Sequence, residues 1–349
     1  MPDDLASGVP PQRRRPRYSG RHPRRFEEKY KEHQPERYAE TVAKVLASGK
    51  TPAGTHRPIL VAELLEVLAP KPGEIAVDCT LGYGGHAEQL LRRLQPGGRL
   101  LGLDTDPLEL PRAEARLQAL GFGPETFSVR RTNFAALPQV LASLGMPGVD
   151  VILADLGVSS MQLDDPGRGF SLKHEGPLDM RLNPHRGQPA SAWLARTRPD
   201  QLASWLTEHA EEPHAQPLAM ALAGKKLDTT IALAQAVRDA LPRIRSDELE
   251  LTVRRVFQAL RIAVNDEFST LNMLLRCLPS CLNPGGRVAI LTFHSGEDRR
   301  VKQAFAAGRE AGLYAEIARE VIRPSRGEQY ANPRSTPAKM RWARRAVVG

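Results

Sequence analysis

Short apolar runs and amphipathic stretches alternate along residues 55–155 of the chain. A short apolar run bounded by turn residues is typical of a buried strand, whereas apolar residues at three- and four-residue spacing are typical of a helix. Regular exchange of the two patterns favours a parallel sheet covered by helices on both faces. The predicted strands are 75–79, 99–104, 126–130 and 149–155, and the predicted helices are 63–68, 107–120 and 137–144.

The alternation stops after residue 159 and resumes near residue 266. Between these points, proline-rich turns separate apolar patterns of helical spacing, which predict a small helical domain over 160–265. We therefore expect one α/β domain, formed by 55–159 and 266–349, that is interrupted by a helical insert. Its second half has predicted helices at 268–282 and 297–307, a turn at 283–286, and strands at 287–293 and 338–343.

Composition favours a globular protein of the cytoplasm. No apolar run approaches the roughly 20 residues that a membrane helix needs, and the Arg- and Pro-rich N-terminus lacks the apolar stretch of a secretory signal. The cysteines are only three, Cys79, Cys277 and Cys281, and they lack the neighbouring Cys or His residues that would complete a zinc site. We expect no membrane partner and a reducing compartment.

Positive charge is concentrated at the start of the chain. The sequence has 49 Lys and Arg against 40 Asp and Glu, a net charge of +9. Seven of the arginines lie within residues 1–26, where only Asp3 and Asp4 oppose them. This predicts a disordered basic extension over 1–50, with exposed helices at 27–50. It fits either a nucleic-acid contact or a solvated tail, and the sequence leaves both open.

Glycine-rich and polar motifs follow the predicted strands. In an open parallel sheet, ligands bind beyond the carboxyl ends of the strands, so these motifs form the candidate site. The loop 80–86 follows the first strand and leads into a helix, which is typical of a nucleotide-type cofactor loop. Asp104 lies 20 residues after Gly84, a spacing that suits a carboxylate accepting ribose hydroxyl protons. The other motifs at strand ends are Asn133-Phe134, Asp155 and His294-Ser295.

Two cofactor classes fit this arrangement. A dinucleotide loop has the pattern G-x-G-x-x-G/A, which residues 82–87 satisfy only with alanine in the last position. S-adenosylmethionine carries a sulfonium and an amino group, and carboxylates at strand ends suit these cations better than they suit a pyrophosphate. Asp104 at the ribose, Phe134 against the adenine and Asp155 near the methionine end form one coherent site. Asp104 as a turn residue and Phe134 as a core aromatic are the alternatives.

The stretch 155–181 is the most unusual in the chain, because it is too polar and glycine-rich for a core and too ordered in its charges for a generic linker. With Phe293-His294-Ser295 and several shorter motifs, it resembles the bacterial RsmH or MraW family of methyltransferases. That family methylates N4 of a cytosine in the decoding region of 16S ribosomal RNA. The resembling segments are 56–60, 80–86, 104–107, 155–181, 253–267, 284–302 and 332–334.

The resemblance implies a class I S-adenosylmethionine-dependent methyltransferase, an α/β fold with a Rossmann-like, mostly parallel sheet, whose inserted helical domain meets RNA. It implies S-adenosylmethionine as cofactor and the small ribosomal subunit with its 16S ribosomal RNA as partner. The chain departs from the family pattern in residues 1–50, which have no counterpart there, in Gly296 for leucine, in Ala263 for tryptophan, and in the sequence of 334–339. The implied cofactor contacts are Gly84, Gly85, His86, Asp104, Phe134, Asp155 and Gln162.

Asp155 and His294 are the candidate catalytic residues. Methyl transfer to an amine needs the nitrogen in line with the sulfonium methyl and an acceptor for the amine proton. Asp155 follows the fourth strand, where many amino-methyltransferases carry such a residue, although no aromatic follows it here to stack the base. His294 is the second candidate base. Ser295 and Asp298 form a capping-box pattern, however, which gives His294 a structural or RNA-positioning alternative.

Four arginines are the candidate RNA contacts. Arg168 and Arg181 can instead pair with acidic residues of their own stretch, which also argues against a metal site there, and the other two have ordinary helix-surface charge as their alternative. A non-catalytic ribosome-assembly factor with a cofactor-sensing pocket and an NAD-type oxidoreductase are the functions from other classes. Monomer and homodimer both stay open. The four are Arg168, Arg181, Arg254 and Arg261.

Overall fold

Seven strands form a single, mostly parallel sheet in the computed structural model, which describes residues 58–347. They are β1 (Ile75–Asp78), β2 (Arg99–Asp104), β3 (Phe127–Arg131), β4 (Val149–Asp155), β5 (Leu282–Thr292), β6 (Tyr314–Ile317) and β7 (Lys339–Arg345). The order across the sheet is β3-β2-β1-β4-β5-β7-β6. The first five strands pair in parallel, and β7 runs antiparallel to both of its neighbours. The predicted α/β class with a mostly parallel sheet is confirmed, whereas the predictions for 1–50 lie outside the described residues.

Thirteen α-helices connect and extend the strands within residues 58–347. None of them has the length and apolar content that crossing a membrane requires. They are α1 (Val61–Leu68), α2 (Gly85–Leu94), α3 (Leu110–Ala119), α4 (Leu137–Ser143), α5 (Ser160–Asp164), α6 (Ala190–Arg196), α7 (Pro199–Ala210), α8 (Ala215–Leu222), α9 (Thr230–Ala240), α10 (Ser246–Asn265), α11 (Glu267–Cys281), α12 (Ser295–Glu310) and α13 (Arg326–Ala331).

Successive residues of a strand point to opposite faces of the sheet, and helices cover both faces. Val77 and Ile152 belong to a core cluster that they share with α4, α11 and α12. Ala76 and Val151 belong to the cluster on the other face, which includes apolar residues of α1, α2 and α3. This two-sided burial explains why the central strands are continuous apolar runs in the sequence.

The helices between β4 and α11 have a core of their own. Buried residues from Phe170 to Leu260 form a third cluster, contributed mainly by α6 to α10. The apolar patterns at 202–206, 231–237 and 256–262 supply much of it. A separate core supports the predicted helical insert, while the boundaries 160 and 265 themselves stay a prediction.

Two details of the second half differ from the prediction. The predicted turn 283–286 is the irregular start of β5, where the pairing with β4 jumps from Leu282 opposite Val149 to Arg287 opposite Val151. The edge strand β6 was not predicted, because it has only four residues and two of them are exposed glutamate and alanine. A short exposed edge strand lacks the apolar alternation on which strand prediction depends.

Gly296, a departure from the family pattern, has a steric cause. A Cβ at this position would come within 2.7 Å of Cζ of Phe268. Phe268 lies in the first turn of α11, and its ring fills the space that a side chain at position 296 would occupy. Arg300 covers the same ring at 3.5 Å from its centroid. The glycine and the phenylalanine therefore form one complementary pair in the packing of α11 against α12.

Candidate active site

A cavity of about 300 Å³ opens at the carboxyl ends of the parallel strands. Its volume lies at the lower end of the range for small-molecule sites. The glycine-rich loop, the ends of β2 and β4, and residues following β3 and β5 all contribute to it. Six of the seven predicted cofactor contacts line it: Gly85, His86, Asp104, Phe134, Asp155 and Gln162.

Gly84, the seventh, is not among the lining residues. It is the N-cap of α2, with a φ of 78°. A Cβ on this residue would lie 2.9 Å from Cδ1 of Leu117. Glycine is needed at this position for the left-handed backbone and for the close packing of α2 on α3. Gly82 lines the cavity instead, and its N–H donates to Oδ2 of Asp104 over 2.8 Å.

Two backbone donors hold the Asp104 carboxylate at the cavity wall. Gly82 N–H reaches Oδ2, and Asp106 N–H reaches Oδ1 over 2.8 Å. Burial raises the pKa of Asp104 above its ordinary value, and these two hydrogen bonds act in the opposite direction. Asp104 thus makes a turn and also faces the cavity, so that both interpretations of the sequence apply. Phe134 is similar, since it lines the cavity and packs on the core beneath it.

Asp155 lies at the end of β4 and has a buried carboxylate oxygen without a hydrogen-bond partner among the described residues. Its backbone N–H donates to Oγ1 of Thr80 over 2.6 Å, which fixes the end of β4 to the glycine-rich loop. Oδ1 is buried and has no hydrogen-bond partner among the described residues. Burial, and secondarily the charge of Glu297, raises the pKa of Asp155 to about 7. A carboxyl of this kind holds a proton just below neutral pH and releases it just above.

His86 is a neutral neighbour of Asp155. Its Nε2 lies 2.9 Å from the carbonyl oxygen of Ile59, which only accepts, so Nε2 carries the proton. Burial lowers the pKa of His86 below its ordinary value. Nδ1 is therefore an acceptor, and it lies 3.5 Å from Oδ2 of Asp155. The imidazole is placed to receive a hydrogen bond from the protonated form of this carboxyl.

His294 caps helix α12. Its Nδ1 accepts the N–H of Glu297 over 3.4 Å, and Oε2 of Glu297 accepts the N–H of Phe293 over 2.8 Å. The predicted capping box at Ser295 and Asp298 is wrong by one position, because the capping residues are His294 and Glu297. Asp298 pairs with Arg341 instead. His294 is not among the lining residues of the cavity, whereas Glu297 is. The geometry supports the structural alternative for His294 over the role of a base.

The stretch 155–181 folds around a buried ion pair. Nη1 of Arg168 lies 2.7 Å from Oδ2 of Asp106, and the same oxygen accepts from Nε2 of Gln162 over 2.8 Å. Asp106 is fully buried and Arg168 nearly so. Arg168 therefore does not contact RNA as predicted, because its guanidinium is enclosed. Arg181 binds Asp179 through Nε and Nη2, which is the pairing named as its alternative.

The other two predicted RNA contacts differ from each other. Arg261 donates through Nε and Nη2 to both carboxylate oxygens of Glu267 over 2.8 Å, which favours a structural role over the predicted phosphate contact. Sequence spacing did not reveal this pair, because the partner lies across the junction of α10 and α11. Arg254 is exposed, and no ion pair involves it within residues 58–347. It stays a prediction.

Sequence reasoning assigned no role to one end of the cavity. The residues there come from α10, α11, α12 and the segment after α13. They lie in segments that carry the family resemblance, and this position could have identified them as candidate site residues. Glu267 and Glu297 also lie with His294 in a group whose ligand atoms are within 4.8 Å of one another. Arg261 already occupies both oxygens of Glu267, which disfavours a metal ion. The lining residues at this end are Asn265, Glu267, Glu297, Asn332 and Arg334.

Glu109 is a second buried carboxyl at the cavity, and sequence reasoning missed it. Its Oε1 accepts from Nη1 of Arg112 over 3.0 Å, while Oε2 is buried without a hydrogen-bond partner among the described residues. Burial raises the pKa of Glu109 to about 7, and Arg112 opposes this shift. A carboxyl of this kind destabilises the folded state once it ionises.

The variant Glu109→Gln is expected to be more stable than the parent chain at pH 8 but not at pH 5. The unfolded side chain loses its proton near pH 4.5 and the folded one near 7, so stability falls as pH rises between these values. The difference amounts to at most about 3 kcal/mol. Urea unfolding at both pH values measures it. The exposed Glu125→Gln is the control, and equal pH dependence in Glu109→Gln and Glu125→Gln contradicts the prediction.

Comparisons with known proteins identify the family of this chain. The model of the MraW methylase family matches residues 53–346. Ribosomal RNA small subunit methyltransferase H 1 of Lachnoclostridium phytofermentans is 47% identical over 97% of this chain and 94% of its own length. Ribosomal RNA small subunit methyltransferase H 2 of Alkaliphilus metalliredigens is 49% identical over 96% and 98%. A looser match is the structure of an rRNA methylase from Streptococcus thermophilus, with a TM-score of 0.39 and 11% identity over 82% of this chain and 93% of that one.

Residues 1–50 lie outside the match to the family model, as the sequence predicted, but alignments with individual relatives extend into them. An alignment over 97% of the chain leaves out only 3% of it, which is much less than a segment of fifty residues. The family model itself begins at residue 53. Some relatives therefore have residues that align with this segment, although it lies outside the common family pattern.

Proposed function

The chain belongs to the MraW methylase family, and we propose that it transfers the methyl group of S-adenosylmethionine to N4 of a cytosine in the decoding region of 16S ribosomal RNA. It is an S-adenosylmethionine-dependent methyltransferase of small-subunit ribosomal RNA. The observation that carries the choice of an amine as acceptor is the unpartnered Oδ1 of Asp155 at the cavity. An amine acceptor must lose a proton, and this oxygen is an acceptor without a donor.

The cavity residues fit the cofactor from one end to the other. The Asp104 carboxylate, held by two N–H groups, retains lone pairs for ribose hydroxyls, and Phe134 offers a ring face for the adenine. Gly85 and His86 bring the backbone of the glycine-rich loop to the cavity beside Asp155. The cofactor, when bound, supplies a methyl group on a positively charged sulfur. The nearby carboxylates suit that charge.

Asp155 would then serve as the proton acceptor. The exocyclic amine of cytosine is a weak nucleophile because its lone pair is conjugated with the ring. A carboxylate that accepts one N–H orients the lone pair and takes the proton as the nitrogen–carbon bond forms. With its pKa raised to about 7, Asp155 is a much stronger base than an exposed aspartate and is still ionised at slightly alkaline pH. Nδ1 of His86, 3.5 Å from Oδ2, is placed to stabilise the protonated product.

The end of the cavity near α10 and α13 would receive the base. Asn332 presents an amide group there, and Arg334 presents a guanidinium that donates to Asp164 over 2.6 Å. Such donors and acceptors suit the hydrogen-bonding edge of a cytosine that has left its stack. The amide of Asn265 instead holds the cavity wall together, because it accepts from Leu182 N–H and donates to the carbonyl oxygens of Met180 and Arg261. Arg254 and the helical insert stay proposed contacts for the surrounding RNA. The small ribosomal subunit is the proposed partner, and the cytoplasm is the compartment that it implies.

Labelling of small ribosomal subunits tests the proposal. Subunits that lack the modification are incubated with the protein and S-adenosylmethionine that carries a labelled methyl group. We expect label in 16S ribosomal RNA, and nuclease digestion with mass spectrometry should recover it as N4-methylcytidine at one position. Label on another atom or another nucleotide would overturn the acceptor. Binding of S-adenosylmethionine without any label in RNA would favour the non-catalytic assembly factor.

A further inference from the structure

Tyr330 is the most exposed of the large apolar or aromatic side chains in the described part of the chain. Its exposed fraction is 92%, and the next two, Met220 and Val347, reach 72%. No ring contact, side-chain hydrogen bond or ion pair involves its side chain within residues 58–347. A phenol ring turned fully into water gains nothing from burial in this fold, so a contribution to folding does not explain its presence.

The helix that carries Tyr330 is held firmly by its surroundings. Oε1 of Glu328 accepts the N–H of Leu60 over 2.9 Å, which ties α13 to the start of α1. Ser325 caps the helix by accepting the N–H of Glu328 over 3.1 Å. Just before the helix, Ile322 forms a bridge with Met340 of β7. The exposed ring therefore projects from a fixed support rather than from a loose loop.

This support forms one rim of the candidate active site. Asn332 and Arg334, which follow α13 directly, both line the cavity. Two residues of chain span at most about 7 Å, so the backbone of Tyr330 lies within that distance of Asn332. Arg334 is held by Asp164, which fixes the rim to α5 on the other side. A nucleotide next to one in the cavity is within reach of the ring.

Positive charge accompanies the ring. Arg326 precedes Tyr330 by four residues on the same helix, so the two side chains share one face of α13. Arg323 lies just before the helix, and both arginines are exposed and without an ion pair within residues 58–347. Glu328, the acidic residue of α13, is turned to Leu60. Exposed aromatic and cationic groups on one face suit a base and its phosphate.

We propose that Tyr330 stacks on the base that neighbours the target cytosine in the RNA strand, with Arg326 contacting a phosphate of the same strand. The proposal rests on the function proposed above. A cytosine that enters the cavity leaves its neighbour without a stacking partner on one side, and the Tyr330 ring at the rim replaces it. Single-stranded RNA is recognised in this way because every base presents a flat face.

Steady-state kinetics with small ribosomal subunits test the proposal through Tyr330→Ala, Tyr330→Phe and Tyr330→Trp. We expect Tyr330→Ala to raise KM for the subunits about tenfold, with kcat and the Kd for S-adenosylmethionine unchanged. The two aromatic variants should retain the KM of the parent chain, because stacking requires a ring and not the hydroxyl. Leu313→Ala is the matched control, since Leu313 is also exposed but precedes Tyr314, whose pairing with Arg345 lies at the amino-terminal end of the parallel strands, away from the cavity.

Photo-crosslinking through Tyr330→p-azidophenylalanine identifies what the side chain meets on the intact subunit. We expect a crosslink to 16S ribosomal RNA within one or two nucleotides of the methylated cytosine. A crosslink only to a ribosomal protein, or a KM for Tyr330→Ala equal to that of Leu313→Ala, overturns the proposal and leaves the proposed function intact. Absence of methylation by the parent chain overturns both.

Discussion

Asp155→Asn is expected to lower kcat for RNA methylation by about 100- to 10,000-fold, the range of a general base, which is a much larger effect than the loss of one nearby carboxylate has on the Kd for S-adenosylmethionine. Asparagine keeps the shape of the side chain and the backbone hydrogen bond to Oγ1 of Thr80, which fixes the end of β4. It removes the carboxylate that is proposed to take the amine proton through its unpartnered Oδ1. Isothermal titration for cofactor binding and single-turnover methylation for kcat separate the two effects.

The same residue predicts the pH dependence of the reaction. Asp155 must be ionised to accept the amine proton, and its pKa is raised to about 7. The rate should therefore rise about tenfold per pH unit below pH 7 and level off above it. Because the charge of Glu297 contributes to the raised pKa of Asp155, Glu297→Gln should shift the rising part of the pH–rate profile to lower pH.

Two results would contradict the assignment of Asp155. The first is a kcat for Asp155→Asn within a few fold of the parent value. The second is an unchanged rise of the rate near pH 7 in the residual activity of Asp155→Asn, which would assign the titration to another group. His294→Ala is a useful companion, because alanine has no side-chain acceptor for the N–H of Glu297. The imidazole of His294 caps α12 outside the cavity, so its loss should lower stability more than it moves the pH profile.

Arg168→Met is expected to destabilise the fold by about 3–5 kcal/mol, the cost of leaving one partner of a buried ion pair alone. The variant removes the cation that lies 2.7 Å from the fully buried Asp106. It also removes the donors to the carbonyl oxygens of Arg181 and Leu182, which hold the 155–181 stretch in place. The midpoint of urea unfolding measures the loss.

Arg198→Met is the matched control, because Arg198 pairs with Asp200 at a similar distance of 2.9 Å while both side chains are largely exposed. An exposed pair contributes only about 0–1 kcal/mol. The double variant Asp106→Asn/Arg168→Met should be more stable than Arg168→Met alone, since it no longer buries an unpaired charge. Equal midpoints for Arg168→Met and Arg198→Met would show that the buried pair is not a main support of the fold.

The α/β architecture could be predicted from the sequence because it depends on local pattern. The strand 149–155 and the strand 99–104 agree with the structure at both ends. Central strands of a doubly covered sheet are continuous apolar runs between turn residues, and that signal is strong. The edge strand β6 and the irregular start of β5 were missed, because an exposed edge and a change of register leave no such pattern.

The residues of the candidate site likewise fall into those that local pattern predicts and those that depend on distant partners. Positions at strand ends, such as Asp104 and Asp155, follow from the rule that ligands bind beyond the carboxyl ends of parallel strands. The roles of the arginines could not be predicted in this way, because charge alone does not distinguish an exposed RNA contact from a buried ion pair. Arg168 and Arg261 reach partners 62 and 6 positions away, and both partners are brought near only by folding.

The sequence by itself determined the fold class, the cofactor loop, the family resemblance and the residues at the ends of β2 and β4. These depend on spacing along the chain, which the backbone converts directly into position. Only the tertiary structure decided that Asp155 keeps a free oxygen, that His294 caps a helix, that Arg168 is enclosed, and that Tyr330 projects at the rim. Each of these depends on burial and on partners from distant segments, and burial is a property of the packed molecule rather than of any stretch of its sequence.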